Sequence, residues 1–186
     1  MPLILFNKPF GVMSQFSAHP ERQTLADYLD IPNIYPAGRL DADSEGLLLL
    51  TDDGKLQHAI AHPRRKQPKT YLAQVEGLAT PEALQRLRDP LDLGDFVTQP
   101  GEARLIQEPA WMWPRTPPIR QRANQPTSWI ALTISEGKNR QVRRMTAAVG
   151  LPTLRLVRIA IGPFSLATHP VMPGEWREVD PQELDA

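Results

Sequence analysis

Short strand-like segments alternate along this chain with short helix-like segments, in no regular order. Strand patterns occur at 3–6, 47–51, 71–76, 129–135, 154–161 and 176–179. Helix patterns follow Thr24 and occupy 55–61, 81–88 and 141–149, the last closed by Gly150. Because there is neither a steady βαβ repeat nor a glycine-rich phosphate loop, these patterns favour an α+β fold over a doubly wound parallel sheet.

Length and composition restrict the class of protein. The chain has 186 residues, enough for one domain or two small lobes, and no cysteine, which excludes disulfides, zinc-thiolate sites and thiol nucleophiles. Its apolar start reaches Lys8 and Pro9 too early for a signal peptide, and no apolar run approaches the roughly 18 residues of a membrane span. We therefore expect a cytoplasmic globular protein that does not enter a membrane.

Charge is balanced overall but segregated along the chain. The formal net charge is zero, yet residues 138–158 contain six basic side chains and no acidic one. A second basic segment, HPRRKQPK, spans 62–69. Such segments can bind an anionic partner along one face, or they can be solvated surface, and charge alone leaves both open.

The stretch DADSEGLLLLTD at 41–52 nearly matches the spacing of a calcium-binding EF-hand loop. Three features argue against calcium. Asp52 is one methylene shorter than the bidentate Glu that position twelve requires, Leu49 offers no oxygen at position nine, and LLLLT has a strand pattern where a helix should begin. The four histidines are scattered along the chain. We therefore predict no metal site.

The same acidic stretch belongs to a longer segment, AGRLDADSEGLLLLTDDG at 37–54. This segment resembles the active-site signature of the RsuA/RluE branch of the pseudouridine synthases. Further family motifs occur in the family's order: NKPFG at 7–11, KTY at 69–71, EGKNRQVRRMTAAVGLPTLRLVRIAIGPFSL at 136–166 and PGEWRE at 173–178. The resemblance thus spans nearly the whole chain.

The resemblance implies an enzyme that isomerises uridine in RNA to pseudouridine without a cofactor. It implies that Asp41 of GRLD is the catalytic carboxylate, acting as a nucleophile at the ribose or as a base. It implies that Tyr71 stacks on a flipped uracil or helps remove the C5 proton, although a buried strand tyrosine is the alternative. It implies that Arg143 pairs with Asp41, with Arg140 as the alternative partner.

Binding roles follow from the same motifs and from the basic segments. Substrate-binding candidates are Arg39, Leu40, Arg140, Leu156 and Lys69, and Leu156 is equally a candidate core residue. RNA-backbone candidates are Lys138, Arg144, Arg115, Arg120 and Arg122. The last three lie in a stretch rich in Pro, Trp and Arg at 108–128, which we predict to be a long loop. This loop either docks on RNA or acts as a lid that buries Trp111 and Trp113.

The fold implied is the α+β pseudouridine synthase fold, a mixed, largely antiparallel sheet with flanking helices. We expect two lobes around a cleft, approximately 1–62 with 150–186, and 63–149. Because NKPFG begins after six residues, we expect no S4-type RNA-binding domain ahead of it. The implied partner is 23S ribosomal RNA, free or in a pre-ribosomal particle, bound by a monomer. Small-subunit ribosomal RNA, transfer RNA, or a non-catalytic role in ribosome assembly are the alternatives.

Overall fold

The computed structural model describes residues 2–62, 67–122 and 124–185. The chain forms two compact units, residues 1–67 with 158–186, and residues 68–157. The sequence places these boundaries at 62 and 149. Half of the basic segment HPRRKQPK, residues 63–66, lies outside the described residues.

The first unit is built on two fully buried antiparallel strands, β1 (Leu3–Lys8) and β3 (Glu45–Thr51). A short strand, β2 (Tyr35–Pro36), pairs with β3, and a C-terminal strand, β9 (Trp176–Val179), pairs with β1, both antiparallel. Because every residue of β1 and β3 is buried, these strands appear in the sequence as continuous apolar runs rather than as an alternating pattern.

Short helical segments complete the first unit. Helix α1 (Gly54–Ala61) begins at Asp53, whose Oδ1 accepts a hydrogen bond of 2.9 Å from the Lys55 N–H. The helix pattern after Thr24 forms only a single 3-10 turn, Leu25–Asp27, where the Asp27 carboxylate accepts from the Thr24 N–H at 2.8 Å. A second 3-10 turn, Pro181–Asp185, closes the described chain.

The second unit contains three antiparallel strands in the order β5-β6-β4, namely β5 (Glu102–Ile106), β6 (Thr127–Ile134) and β4 (Lys69–Glu76). Their core cluster includes side chains of helix α2 (Pro81–Arg88) and helix α3 (Gln141–Ala148). Helix α2 begins as its sequence predicts, with Thr80 accepting from the Ala83 N–H at 3.2 Å and Pro81 in the first turn.

Strand β7 (Thr153–Ile161) begins in the second unit and ends in the first, where it pairs with β8 (Phe164–Ser165). In the first unit its backbone lies against Gly46 of β3. A Cβ atom added to Gly46 would stand 2.2 Å from the Arg158 carbonyl oxygen, and the Gly46 φ of 110° is itself unfavourable for other residues. Gly46 is therefore required where β3 and β7 meet.

The α+β class predicted from the sequence is confirmed, and the described residues form mostly antiparallel strands and three short helices. The strands β2, β5 and β8 are not predicted from the sequence. In the described part of the chain, no helix has the length and apolar character that crossing a membrane requires.

Candidate functional site

Asp41 lies on a half-buried turn that leads into β3. The Asp41 carbonyl accepts from the Ser44 N–H at 3.0 Å, and the Ala42 carbonyl accepts from the Gly11 N–H at 2.7 Å. The turn is entered through Gly38, whose φ of 91° favours glycine. Backbone contacts thus fix the peptide groups on the C-terminal side of the candidate catalytic residue.

Lys8 lies fully buried at the end of β1, directly below this turn. Its Nζ donates to the carbonyls of Val12 at 2.8 Å and Pro9 at 2.9 Å, and to that of Ala42 at 3.5 Å. Burial lowers the pKa of Lys8 to about 7, and the nearby Arg158 acts in the same direction. The carboxylates of Glu45, Asp43 and Asp41 oppose the shift.

Two further buried side chains hold the segment that precedes Asp41. Ser14 Oγ donates to the Leu40 carbonyl at 2.6 Å and accepts from the Leu40 N–H at 3.2 Å. Arg158, which is only 4% exposed, donates to the Leu47 carbonyl at 2.9 Å and to the Arg39 carbonyl at 3.5 Å. Ser14, Lys8 and Arg158 therefore reach consecutive parts of the segment 39–42.

The sequence does not identify these three supporting residues. Lys8 gives one usable signal, because it ends an otherwise apolar strand pattern and precedes a proline. Ser14 gives none, since it lies in an irregular segment 26 residues from Leu40. Long-range contacts of this kind depend on the fold.

The two candidate substrate-binding residues beside Asp41 differ in exposure. Arg39 is exposed. Leu40 is buried in a core cluster that includes Phe6 and Leu48. Leu40 is thus a core side chain of the first unit, and a role for it in binding substrate remains a prediction.

Tyr71 and Leu156 are both buried in the core of the second unit. Tyr71 lies in β4 opposite Leu132 of β6. The structure therefore gives both residues the packing role that the sequence offers as the alternative. Their roles toward uracil remain predictions.

The loop before α3 is held by a buried glutamine. The Gln141 side chain accepts from the Lys138 N–H at 3.2 Å and donates to Glu136 Oε1 at 3.1 Å, while Glu136 Oε2 accepts from the Gln99 N–H at 2.9 Å. Arg140, the residue before the helix, has a φ of 53°, which is uncommon for arginine. Arg140 and Lys138 are both exposed, so this loop presents two cations to solvent.

The other basic candidates near α3 are more enclosed. Lys69 lies beside the same loop, with its Nζ 3.8 Å from where a Cβ on Gly137 would stand. Arg143 is half-buried on α3. Arg144 forms an ion pair with Asp95, donates to the Leu93 carbonyl at 3.0 Å and stacks 5.4 Å from the Phe96 ring. The Arg144 hydrogen bond holds the pKa of Asp95 below its usual value, so Arg144 has a structural contact in addition to its predicted RNA role.

The loop at 108–128 has an anchored part and a presented part. Trp113 is 8% exposed, and its carbonyl accepts from Arg155 at 2.9 Å. Arg115 donates to the carbonyls of Pro117 at 2.8 Å and Leu154 at 3.3 Å. In contrast, Trp111 is 47% exposed, and Arg120 and Arg122 are exposed.

The acidic stretch does not form a metal loop in this structure. Residues Glu45–Thr51 form strand β3, as the strand pattern predicts, where an EF-hand would begin a helix. Within residues 2–62, 67–122 and 124–185, no three His, Asp or Glu side chains are grouped so that they could hold a metal ion.

Comparison with known proteins identifies the same family that the sequence motifs resemble. The family described as RNA pseudouridylate synthase matches residues 2–148. The chain is 55% identical over 180 residues to the ribosomal large subunit pseudouridine synthase E of Xanthomonas campestris pv. campestris, covering 96% of this chain and 95% of that one. It is 51% identical over 177 residues to the protein of the same name in Vibrio vulnificus, covering 95% and 74% of the two chains.

Solved structures agree with the sequence comparison. A crystal structure of a pseudouridylate synthase aligns with a TM-score of 0.79 at 27% identity, covering 99% of this chain and 72% of that chain. The human RNA pseudouridylate synthase domain containing 1 aligns with a TM-score of 0.57 at 17% identity, which shows likeness of fold alone. From its motifs, its fold and these matches, the chain belongs to the RNA pseudouridylate synthase family and is a pseudouridine-forming isomerase.

Proposed function

We propose that this protein isomerises a uridine of 23S ribosomal RNA to pseudouridine, with Asp41 as the catalytic carboxylate and with no cofactor. The choice of RNA is supported by relatives at 50–57% identity that carry the name ribosomal large subunit pseudouridine synthase E. We further propose that the enzyme acts in the cytoplasm as a monomer, on free 23S RNA or on a pre-ribosomal particle.

The structural observation that most directly supports a catalytic role for Asp41 is the set of hydrogen bonds that hold its turn. Within the first unit, the carbonyls of Arg39, Leu40 and Ala42 each accept from a buried side chain, at 3.5, 2.6 and 3.5 Å respectively. A reacting group must be held close to its productive geometry, because a displacement of about 1 Å can cost a factor of about 100 in rate. The three contacts hold the backbone on both sides of Asp41, as a catalytic carboxylate on a turn requires.

The reaction is an isomerisation, so its atoms balance without a co-reactant. The bond between C1′ of ribose and N1 of uracil breaks, the base rotates, and a bond forms between C1′ and C5. The proton on C5 is then lost, and N1 carries a proton in the product. An ionised carboxylate can drive this sequence either as a nucleophile at the ribose or as a base.

We propose that Tyr71 and Arg143 act together with Asp41. Tyr71 would offer its ring to the flipped uracil and its hydroxyl to the C5 proton. Arg143 would pair with the Asp41 carboxylate and hold its orientation. Both roles rest on the family motifs KTY and GKNRQVRR.

RNA binding is supported by the charge at the start of α3. Helix α3 has no acidic residue in its first turn, and Lys138, Arg140, Arg143 and Arg144 all lie within three residues of its first residue, Gln141, in the chain. Cations are disfavoured there by the helix dipole, whereas a phosphate group would be favoured. We propose that RNA phosphates are bound at this end of the helix, with Lys69 nearby.

The first prediction tests the catalytic carboxylate. Asp41→Asn is nearly isosteric and keeps the backbone contacts of the turn, so it should fold normally and lose pseudouridine formation by several orders of magnitude. Release of tritium from 5-tritiated uridine in ribosomal RNA measures this loss. Asp43→Asn, which removes a neighbouring half-buried carboxylate, is the matched control and should remain active. Activity of Asp41→Asn within about tenfold of wild type would exclude Asp41 as the catalytic group.

The choice of RNA is tested separately. Pseudouridines are mapped in ribosomal and transfer RNA from cells with and without the protein. The proposal requires the loss of one or more pseudouridines in 23S RNA. Loss in small-subunit ribosomal RNA or in transfer RNA instead would assign a different substrate, and an unchanged map would indicate a non-catalytic role.

A further inference from the structure

We propose that Ser14 is a positioning residue for Asp41, acting through the peptide groups of Leu40. This inference rests on the proposed catalytic role of Asp41. Ser14 is 6% exposed and lies in an irregular segment between the family motifs at 7–11 and 37–54. Its hydroxyl forms two hydrogen bonds to the residue that immediately precedes Asp41 in the chain.

The Ser14 hydroxyl acts both as a donor and as an acceptor in these two hydrogen bonds. Ser14 Oγ donates to the Leu40 carbonyl at 2.6 Å and accepts from the Leu40 N–H at 3.2 Å. The Leu40 carbonyl belongs to the peptide bond that joins Leu40 to Asp41. One side chain therefore satisfies both polar groups of a buried residue and orients the peptide plane from which Asp41 extends.

Ser14 can do this because its own backbone is held. The Met13 N–H donates to the Gln23 carbonyl at 2.9 Å, and the Leu25 N–H donates to the Gln15 carbonyl at 2.8 Å. These bonds flank Ser14 on both sides and tie it to the 3-10 turn Leu25–Asp27. Leu25 is itself fully buried in the same core cluster as Leu40. The hydroxyl thus connects the Asp41 turn to a fixed part of the first unit.

The neighbouring supports do not replace Ser14. Arg158 contacts the Arg39 carbonyl at 3.5 Å, and Lys8 contacts the Ala42 carbonyl at 3.5 Å, so both are longer than either Ser14 bond. They lie on either side of Leu40 and leave its peptide groups to Ser14. Without the hydroxyl, the Leu40 N–H and C=O would be buried without this partner, and the turn would shift to find others.

The test compares turnover and substrate affinity in two variants of Ser14. Ser14→Ala removes the hydroxyl, whereas Ser14→Thr retains it. We expect Ser14→Ala to lower kcat about 10- to 100-fold, because Asp41 loses its orientation, with little change in KM for ribosomal RNA. Ser14→Thr should recover most of kcat. If Ser14→Ala does not fold, Ser14→Cys takes its place, since a thiol fills the same site with weaker hydrogen bonds.

A matched control separates positioning from general destabilisation. Thr51 is another fully buried hydroxyl of the first unit, and its Oγ1 donates to the Pro2 carbonyl at 2.8 Å, at the opposite end of β3 from the Asp41 turn. Thr51→Val should lower thermal stability and leave kcat unchanged. An equal fall in kcat for Ser14→Ala and Thr51→Val would overturn the proposal, as would a Ser14→Ala enzyme with normal kcat.

The positioning role of Ser14 can fail while the proposed function holds. An Asp41→Asn enzyme that remains active removes the basis of both. A dead Asp41→Asn enzyme together with a fully active Ser14→Ala enzyme refutes the positioning role alone.

Discussion

At the scale of single residues, the first unit places polar side chains where its strands are otherwise apolar. Lys8 ends β1, and Arg158 lies in β7, both almost completely buried. Burying a cation is costly unless carbonyls or carboxylates compensate it. Each cation donates its shorter hydrogen bonds, of 2.8–2.9 Å, to carbonyls of Pro9, Val12 or Leu47, and a longer one of 3.5 Å to a carbonyl of the segment 39–42. Burying these two residues therefore lowers the stability of the fold, but their contacts help to hold the turn that carries the candidate catalytic group.

The titration of Lys8 gives a prediction with a defined sign. Its pKa falls from 10.5 to about 7 on burial, so between these values the unfolded chain holds a proton that the folded protein has released. The free energy of unfolding should then rise with pH from about 7 to about 10.5, by on the order of 5 kcal/mol from this residue alone. Below pH 7 the cost of burying the charge is fully present.

Lys8→Met should remove this rise. Denaturant unfolding of wild type and variant at a series of pH values between 7 and 10 measures it, and wild type should gain stability relative to Lys8→Met as the pH increases. Lys55→Met, an exposed lysine of the same unit, is the control and should follow wild type at every pH. Parallel curves for wild type and Lys8→Met would contradict the assigned pKa.

Among the helices and strands, local sequence signals predict those features that interactions between neighbouring residues determine. Thr80 and Pro81 mark the start of α2, and the pattern at 176–179 matches β9, because caps and strand periodicity act over a few residues. The edge strand β5 is missed because several of its five residues are exposed and its pairing with β6 is long-range. The turn after Thr24 has the capping contact of a helix start but extends over only one 3-10 turn, Leu25–Asp27.

The candidate site likewise contains residues that sequence motifs suggest and residues that only the fold reveals. Asp41, Tyr71 and Arg143 are suggested by motifs that resemble a family, whereas periodicity alone suggests none of them. Ser14 and Arg158 lie far from Asp41 in the sequence, and only the fold brings them to its turn. Sequence patterns can therefore propose the reacting groups but not the residues that hold them.

The contact between β3 and β7 should be intolerant of any side chain at Gly46. Gly46→Ala would place Cβ 2.2 Å from the Arg158 carbonyl oxygen, in a backbone conformation that disfavours L-residues. We expect a loss of about 3 kcal/mol or more in the free energy of unfolding, from overpacking and backbone strain together. Gly54→Ala is the matched control, because nothing lies within 4 Å of its added Cβ at the start of α1. Equal stability of the two variants would contradict the close approach of the strands.

Arg143 on helix α3 and Arg140 just before it are the two candidates for pairing with Asp41, and a pair of variants distinguishes them. Arg143→Met should abolish most activity, whereas Arg140→Met should mainly weaken RNA binding, because Arg140 is exposed ahead of the helix. Single-turnover rates at saturating RNA separate the two effects. An active Arg143→Met enzyme together with an inactive Arg140→Met enzyme would exchange the two roles.

At the scale of the whole molecule, a net charge of zero conceals an uneven distribution. Among the described residues, the exposed RNA-binding candidates Lys138, Arg140, Arg120 and Arg122 lie in the second unit, and the first unit exposes other cations, including Arg39 and Lys55. Affinity for RNA depends on such local groups, because each phosphate contact releases counterions whatever the net charge. A neutral protein can therefore bind ribosomal RNA strongly and still show a marked dependence on salt.

The loop at 108–128 provides the last prediction, because its arginines have different surroundings. Arg120 is exposed, and the side chain of Arg122 is 79% exposed, with a 3.4 Å contact to Glu76 that is weak at the surface. Arg115 instead holds the loop together through the carbonyls of Pro117, Pro118 and Leu154.

Replacing Arg120 and Arg122 by Ala should weaken RNA binding with little change in melting temperature. It should also reduce the slope of log affinity against log salt by about one for each lost phosphate contact. Arg115→Ala is the contrasting variant and should lower the melting temperature. Filter binding at several salt concentrations and thermal unfolding measure the two effects. An unchanged salt slope in the double variant would give the loop a structural role only and place target selection elsewhere in the molecule.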